Sequence, residues 1–240
     1  MDFTRPSSWY PNARRLKRKI ICHVGPTNSG KTFSAMQSFL KKSQVNGIYC
    51  APLRLLAIEA FNKLNKDYKI PCALRTGEIS SGPPIDEASS GMERTSWQDA
   101  PVLSCTVEMA NINRVYDVAV VDEIQMMADP QRGWAFTQAF LGLQAKELYL
   151  CGEEAALPLI EAIAKETGDE IEVRHFKRLS SLSIAEKSME DSLSQIRPGD
   201  CLVTFSRRQI FDLKAQVERR TNMKCAVVYG NLPMGIVVIS

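Results

Sequence analysis

Gly25-Pro26-Thr27-Asn28-Ser29-Gly30-Lys31-Thr32 fits the spacing G-x-x-x-x-G-K-S/T of a phosphate-binding loop. Its flanks are the ones that motif requires. The apolar run Ile20–Val24 reads as a strand before it, and Thr32–Lys42 reads as a helix after it. Gly25 and Gly30 let the backbone curl so that successive N–H groups along the loop turn inward, and the helix start near Lys31 sets a positive dipole end beneath an anion. Lys31 is then placed to reach the β- and γ-phosphates of a nucleoside triphosphate, and Thr32 to offer its hydroxyl to Mg²⁺.

Such a loop needs an acidic partner on a neighbouring strand. Val118–Val121 is an apolar run that ends in Asp122 and Glu123, and open α/β sheets bind ligands at that carboxyl edge. Taken alone, the pair is a solvated turn at a strand end. With the loop upstream it becomes a metal-side carboxylate, Asp122, and a residue that polarises the attacking water, Glu123. Loop and acidic pair together describe an ATP-type site of the RecA-like kind.

Working outward, short β-rich runs alternate with helical stretches. Strands are expected at Ile20–Val24, Gly47–Ala51, Ala73–Thr76, Val102–Cys105, Val118–Val121, Glu147–Cys151 and Ile171–Phe176. Helices are expected at Thr32–Lys42, Leu55–Lys66, Trp134–Leu143 and Ala155–Thr167, the last closed by Gly168. The strands are near-continuous apolar runs, as in a parallel sheet covered on both faces. Ser80–Gln98, rich in Ser, Gly, Pro and charge, reads as a long surface loop. A second βα pattern follows a break near Lys177–Ser183: helix Ile184–Gln195, strand Cys201–Phe205, helix Arg207–Arg220 and strand Cys225–Tyr229. The organisation is a basic lead-in over 1–19, a RecA-like parallel-sheet lobe over 20–178 and a partial second RecA-like lobe over 179–240.

Composition narrows the class without deciding it. The 240 residues are 45% hydrophobic and 24% charged, with 30 basic against 27 acidic side chains and a net charge of +3. That is an ordinary globular balance, and it excludes a disordered tail or a disulfide-dense mini-scaffold. No apolar stretch approaches the ~18 residues of a membrane span. The seven cysteines form no C-x-x-C pair and lie mostly in apolar runs, where a free thiol packs as a small hydrophobe and suits a reducing compartment. The first twenty residues lack the apolar core of a secretory signal. Arg14, Arg15, Lys17, Arg18 and Lys19 read as a solvated face, Trp9 and Tyr10 as packing residues, and His23 and His175 as core or surface residues.

Asp122-Glu123-Ile124-Gln125 resembles the D-E-x-H/D/Q box of superfamily-two helicases. The surrounding segments are similar to those of the mitochondrial degradosome RNA helicase family: APLRLLA at Ala51–Ala57, TGE at Thr76–Glu78, SCTVEM at Ser104–Met109, LGLQAKELYLCGE at Leu141–Glu153, PGDCLVTFSRR at Pro198–Arg208, the upstream WYPNAR and the D-P-x-R-G-W segment at Asp129–Trp134. The resemblance implies an ATP- and Mg²⁺-dependent 3′-to-5′ motor acting on RNA, and often on DNA too, with two RecA-like lobes and ATP in the cleft between them. It implies a mitochondrial setting, with the nucleus as the second choice, and an exoribonuclease partner. Carried onto this sequence, Lys31, Asp122, Glu123 and Gln125 are the catalytic set, with Thr32 and Asp122 on the metal. Pro52, Leu53, Arg54, Thr76, Gly77, Thr106 and Glu108 line the nucleic-acid track of the first lobe, and Phe205, Ser206 and Arg207 open that of the second. Gln125 and the Gly152-Glu153 pair sit where nucleotide state is coupled to the track.

Arg54 and Arg207 are the cations in those track segments, so hydroxyls such as those of Thr76 and Thr106 are expected to share the phosphate contacts. Beyond Pro233 the family continues into a glycine-rich segment and an arginine finger, where seven residues follow here. An arginine finger is worth roughly 10³–10⁵ in rate, so the expectation is a first lobe that binds ATP·Mg²⁺ with weak turnover and unwinding. Two alternatives stand beside the motor: a nucleotide-dependent RNA-binding or assembly module, and a nucleoside kinase of the thymidine-kinase type, whose zinc-binding cysteine pairs are missing.

Overall fold

The apolar runs that punctuate the first three-quarters of the sequence are strands of a single sheet. In the computed structural model, which describes residues 5, 8–41, 46–84, 96–178, 180–181, 183–186, 188 and 193–230, they are β1 (Lys19–Val24), β2 (Gly47–Ala51), β3 (Cys72–Arg75), β4 (Ser80–Ser81), β5 (Val102–Thr106), β6 (Val115–Val121), β7 (Gln144–Gly152) and β8 (Glu170–His175). Their order across the sheet is β4-β3-β5-β2-β6-β7-β1-β8. Every pairing is parallel except that of β4 with β3, so the chain leaves seven strands at one carboxyl edge.

Alternate residues of these strands feed two separate cores, which is why the central strands are mostly apolar on both faces. Ile20, Cys22, Ile48, Cys50, Ala119 and Val121 face one side, under α4 (Gly133–Gly142) and α5 (Leu157–Thr167). Ile21, Tyr49, Ala51, Val118 and Val120 face the other, under α2 (Lys31–Leu40) and α3 (Arg54–Lys66). Gly168 ends α5 in the left-handed conformation, φ 71°, with its N–H on the carbonyl of Ala164. Ser80 and Ser81 pair antiparallel with Arg75 and Leu74, so the expected loop begins with a short edge strand. Residues 85–95 of that loop lie outside the described residues. Five of the seven cysteines are buried, and burial pushes the Cys22 thiol up to about 12; Cys201 is exposed, against expectation.

The basic cluster is not one solvated face. Arg15 and Lys17 are exposed, but Arg18 is 1% accessible. Its guanidinium forks onto Asp169, Nε to Oδ1 at 3.0 Å, and also donates to the carbonyls of Phe140 at 2.9 Å and Leu143 at 3.1 Å. Those are orphan acceptors at the end of α4. Arg14, the last residue of α1 (Pro11–Arg14), adds bonds to Asp169 at 3.1 Å and to the Leu141 carbonyl at 2.7 Å. Tyr10 packs its ring on Gly142, where an added Cβ would come within 2.9 Å of it. That contact sits where β7 starts, at the end of the sheet away from the phosphate loop, so Tyr10 has the packing role.

The chain divides into two compact units, Met1–Ser181 and Leu182–Ser240. In the second, α6 (Arg207–Thr221) forms as expected, with Ser206 Oγ accepting from the N–H of Gln209 at 3.2 Å. The other elements differ. Ile184–Glu186 is not helical, and only Leu193–Gln195 makes a 3₁₀ turn; residues 182, 187 and 189–192 of the expected helix and its approach lie outside the described set. Cys201–Phe205 forms no strand and bends at Phe205, and within Cys225–Tyr229 only Val227 makes a bridge. β propensity expresses itself through pairing and burial, and here Val203 is 77% exposed and Phe205 fully so.

Breaking a buried pair by removing one partner typically costs about 3–5 kcal/mol, so Arg18→Ala should lower stability by that order in denaturant melts at pH 7. Burial alone raises the carboxyl pKa of Asp169, but the Arg18 hydrogen bonds and charge, the Thr167 hydroxyl and Arg14 together hold it below the usual value. A depressed folded pKa gives stability that is full above about pH 4 and is lost as pH falls through the folded value. The gap between wild type and Arg18→Ala should therefore narrow on acidification below about pH 4.

Candidate nucleotide site

The loop after β1 is held open by its neighbours. Gly25 N–H donates to the Gly152 carbonyl at 3.1 Å, and Phe176 N–H donates to Val24 at 2.8 Å. A Cβ on Gly25, at φ 152°, would stand 2.3 Å from the Phe176 carbonyl oxygen. No other residue fits that crossing. Asn28 and Gly30 are both left-handed, with φ 56° and 84°, which completes the curl before α2 begins. Lys31, 6% exposed, folds its ammonium onto the carbonyls of Gly25 at 2.7 Å and Pro26 at 2.6 Å, with Ser29 Oγ at 3.5 Å. Thr27 Oγ1 accepts from Arg178 at 2.9 Å. His23 is a core residue: its Nδ1 lies 3.1 Å from the Lys31 carbonyl oxygen, and burial lowers its pKa, keeping it neutral.

At the end of β6, Asp122 is 4% exposed. Its backbone N–H donates to Cys50 of β2 at 3.0 Å. Its carboxylate accepts from the Thr32 hydroxyl at 2.9 Å and the Glu123 N–H at 3.2 Å on Oδ1, and from the Tyr49 hydroxyl at 2.9 Å on Oδ2. Burial raises the carboxyl pKa of Asp122, while the bonds from Thr32 and Tyr49 oppose that rise. One buried carboxylate beside a helix-start hydroxyl is a set of hard oxygen donors. It suits Mg²⁺, which takes one or two carboxylates and fills its remaining positions with phosphate oxygens and water.

Glu123 turns the chain by adopting the left-handed conformation, φ 55° and ψ 49°, and a 3₁₀ segment follows at Ile124–Ala128. Gln125 returns from that segment, donating through Nε2 to the Glu123 carboxylate and accepting through Oε1 from the Glu153 N–H at 3.1 Å. Gly152 lets it approach, since a Cβ there would lie 2.5 Å from Gln125 Oε1 and 2.8 Å from Ile124 Cγ2. Phosphate loop, acidic pair, Gln125 and Gly152-Glu153 thus converge at the ends of β1, β6 and β7.

The other candidates of the first unit follow the ends of β2, β3 and β5 along the same edge. Leu53 is exposed, and Arg54 is paired with Glu78. Thr76, with Gly77 after it, is buried, and its hydroxyl closes the turn by accepting from Ile79 N–H at 3.1 Å and Glu78 N–H at 3.4 Å. Thr106 is nearly buried at the tip of β5. Arg132, in the D-P-x-R-G-W segment, donates to Glu108 Oε1 at 2.7 Å and to the Pro52 carbonyl at 2.7 Å. Asp129 sets it in place by accepting the N–H of Arg132 at 2.8 Å and of Gln131 at 2.9 Å. In the second unit, Phe205 is fully exposed, Ser206 caps α6, and Arg207 lies 4.6 Å over the Tyr229 ring. Tyr49, Arg132 and Arg178 are the residues that reading the sequence missed. Only Arg132 left a signal, as the cation in an ordered segment.

Residues 6–176 match the DEXQ-box helicase domain of Suv3. The chain belongs to that family. Asp122-Glu123-Ile124-Gln125 is its DEXQ box, at the point where the geometry converges. This Suv3-type chain is 46% identical over 232 residues to the Arabidopsis thaliana DExH-box ATP-dependent RNA helicase DExH18, mitochondrial, covering 97% of this chain and 28% of that protein. It is 47% identical over 233 residues to the Saccharomyces cerevisiae ATP-dependent RNA helicase SUV3, mitochondrial, covering 97% and 30%. It is also 47% identical over 238 residues to human ATP-dependent RNA helicase SUPV3L1, mitochondrial, covering 98% and 28%. The chain therefore spans less than a third of each of these relatives.

If Arg132 braces the loops after β2 and β5, Arg132→Ala should loosen them locally. Loss of about 1 kcal/mol would speed amide exchange over Val107–Ala110 roughly fivefold in hydrogen-exchange mass spectrometry. Exchange across β1 and β7 should hold.

Proposed function

We propose that this chain is the nucleotide-binding lobe of an ATP-dependent RNA helicase that works in mitochondria and couples ATP hydrolysis to strand separation in RNA, with DNA as a second substrate. The observation that carries the proposal is the buried Asp122 carboxylate bonded to Thr32 at 2.9 Å, one reaching in from β6 and the other from the phosphate-loop helix. Relatives named as mitochondrial ATP-dependent RNA helicases support the substrate and the compartment.

In this reading the inward N–H groups of the Gly25–Gly30 loop and the start of α2 bind the phosphates. Lys31 unfolds from the carbonyls of Gly25 and Pro26 to meet the β,γ-phosphate oxygens. Thr32 and Asp122 would hold Mg²⁺, which would supply charge neutralisation at the transferring phosphoryl group and a template for it. Glu123, held by Gln125, orients and deprotonates the attacking water. Gln125 spans Glu123 and Glu153, so a change at the water position is felt at the end of β7. Pro52, Leu53, Arg54, Thr106 and Glu108 follow neighbouring strand ends and offer a track for a single-stranded backbone. Within the second unit, Phe205, Ser206 and Arg207 offer a strand contacts of their own, and an exoribonuclease consuming the separated strand is the partner that fits.

The test separates binding from chemistry. With a fluorescent ATP analogue and Mg²⁺, Lys31→Ala should weaken binding by at least about tenfold, the loss of charge-assisted bonds. Glu123→Gln should keep the analogue bound but lower any RNA-stimulated hydrolysis by about 10²–10⁴-fold. Undiminished binding by Lys31→Ala would contradict the site. Nucleotide-sensitive RNA binding with no multiple turnover, even in the full-length protein, would favour the non-motor reading.

A further inference from the structure

Tyr49 is a polar residue inside an otherwise apolar strand, Gly47–Ala51, and it lies between two layers that need no hydroxyl. Its ring is buried in the core beneath α2 and α3, and its hydroxyl donates to Asp122 Oδ2 at 2.9 Å. Asp122 is thereby gripped on both oxygens from different elements: Thr32 of α2 on Oδ1, Tyr49 of β2 on Oδ2. Its backbone is tied to the same strand, through the Cys50 carbonyl at 3.0 Å. Backbone tie and two-point grip leave the carboxylate plane no free rotation. All three donors to the carboxylate, the Thr32 and Tyr49 hydroxyls and the Glu123 N–H, are neutral. They orient the negative charge without neutralising it, which is what a cation site requires.

We propose that Tyr49 is the positioning residue of the metal side of this site: by holding Oδ2 it fixes the orientation in which Asp122 receives Mg²⁺ brought in with a nucleoside triphosphate. The inference rests on the nucleotide-site reading above. Tyr49 itself touches neither metal nor nucleotide and acts through Asp122. The ionised carboxylate has about four acceptor positions; Thr32 and Glu123 use those of Oδ1 and Tyr49 uses one of Oδ2, so one stays available beside the hydroxyl. Without Tyr49, Oδ2 would be buried with no donor, and the carboxylate would turn to satisfy it.

The test is the factor by which Mg²⁺ tightens binding of a fluorescent ATP analogue to the 240-residue chain, taken as the ratio of affinities with Mg²⁺ and with chelator. Tyr49→Phe keeps the ring and removes only the hydroxyl. A general loosening of the fold would weaken both affinities alike and leave the ratio alone. Loss of positioning should cut the ratio by about tenfold, as for one hydrogen bond to a charged group. Tyr116→Phe, on β6 but with its hydroxyl on the Asn111 carbonyl, is the matched control and should keep the wild-type ratio. A wild-type ratio in Tyr49→Phe would overturn the role of Tyr49 while leaving the nucleotide site standing. A wild-type chain whose analogue binding ignores Mg²⁺ would overturn the nucleotide-site reading and this inference with it.

Discussion

Asp122 is a carboxylate placed where water hardly reaches, and taking such a charge out of water costs several kcal/mol unless donors replace the lost hydration. The donors come from three places in the chain: Thr32 at the head of α2, Tyr49 within β2 and the adjacent Glu123 N–H. Each must arrive within hydrogen-bonding distance, so the ends of β2 and β6 and the start of the helix after β1 are mutually positioned. β7 lies between β6 and β1, and its last residue, Gly152, has to be small because Ile124 and Gln125 close over it. The geometry of the edge follows from satisfying one buried charge.

The same edge continues into the loops that follow β2 and β5. The 3₁₀ segment Ile124–Ala128 is held at one end by Gln125, bridging Glu123 and Glu153, and is followed by Asp129, which sets Arg132 against Glu108 and Pro52. One short piece of backbone therefore joins the residues proposed to handle nucleotide and those proposed to handle a strand. A motor needs such a shared element, provided that it has two arrangements that both ligands bias.

Local patterns exposed the sheet and the curled Gly25–Gly30 loop in the sequence, because their signals are contiguous: an apolar run for a strand buried on both faces, a fixed glycine spacing before a helix, a glycine where α5 ends. Pairings between distant residues left no such trace. Arg18 and Asp169 lie 151 residues apart, and a row of basic side chains reads as solvent-facing until its acceptors are known. Tyr49 shows only as an aromatic in a strand, and its partner is 73 positions away. Arg132 was visible as part of a segment, but its acceptors on Pro52 and Glu108 lie in the segments that follow β2 and β5. In the second unit the propensities of Cys201–Phe205 and Cys225–Tyr229 were legible, but they produced no ladder, since a strand is made by its neighbours.

The central claim is that Thr32 and Asp122 act as one unit on one metal ion. A double-mutant cycle on Mg²⁺-dependent ATP-analogue binding tests it directly, with Thr32→Val, Asp122→Asn and the pair combined. If the two hold the same ion, the double variant should lose little more affinity than the worse single one. Losses that simply add would contradict the account, because they would mean that the two side chains act independently.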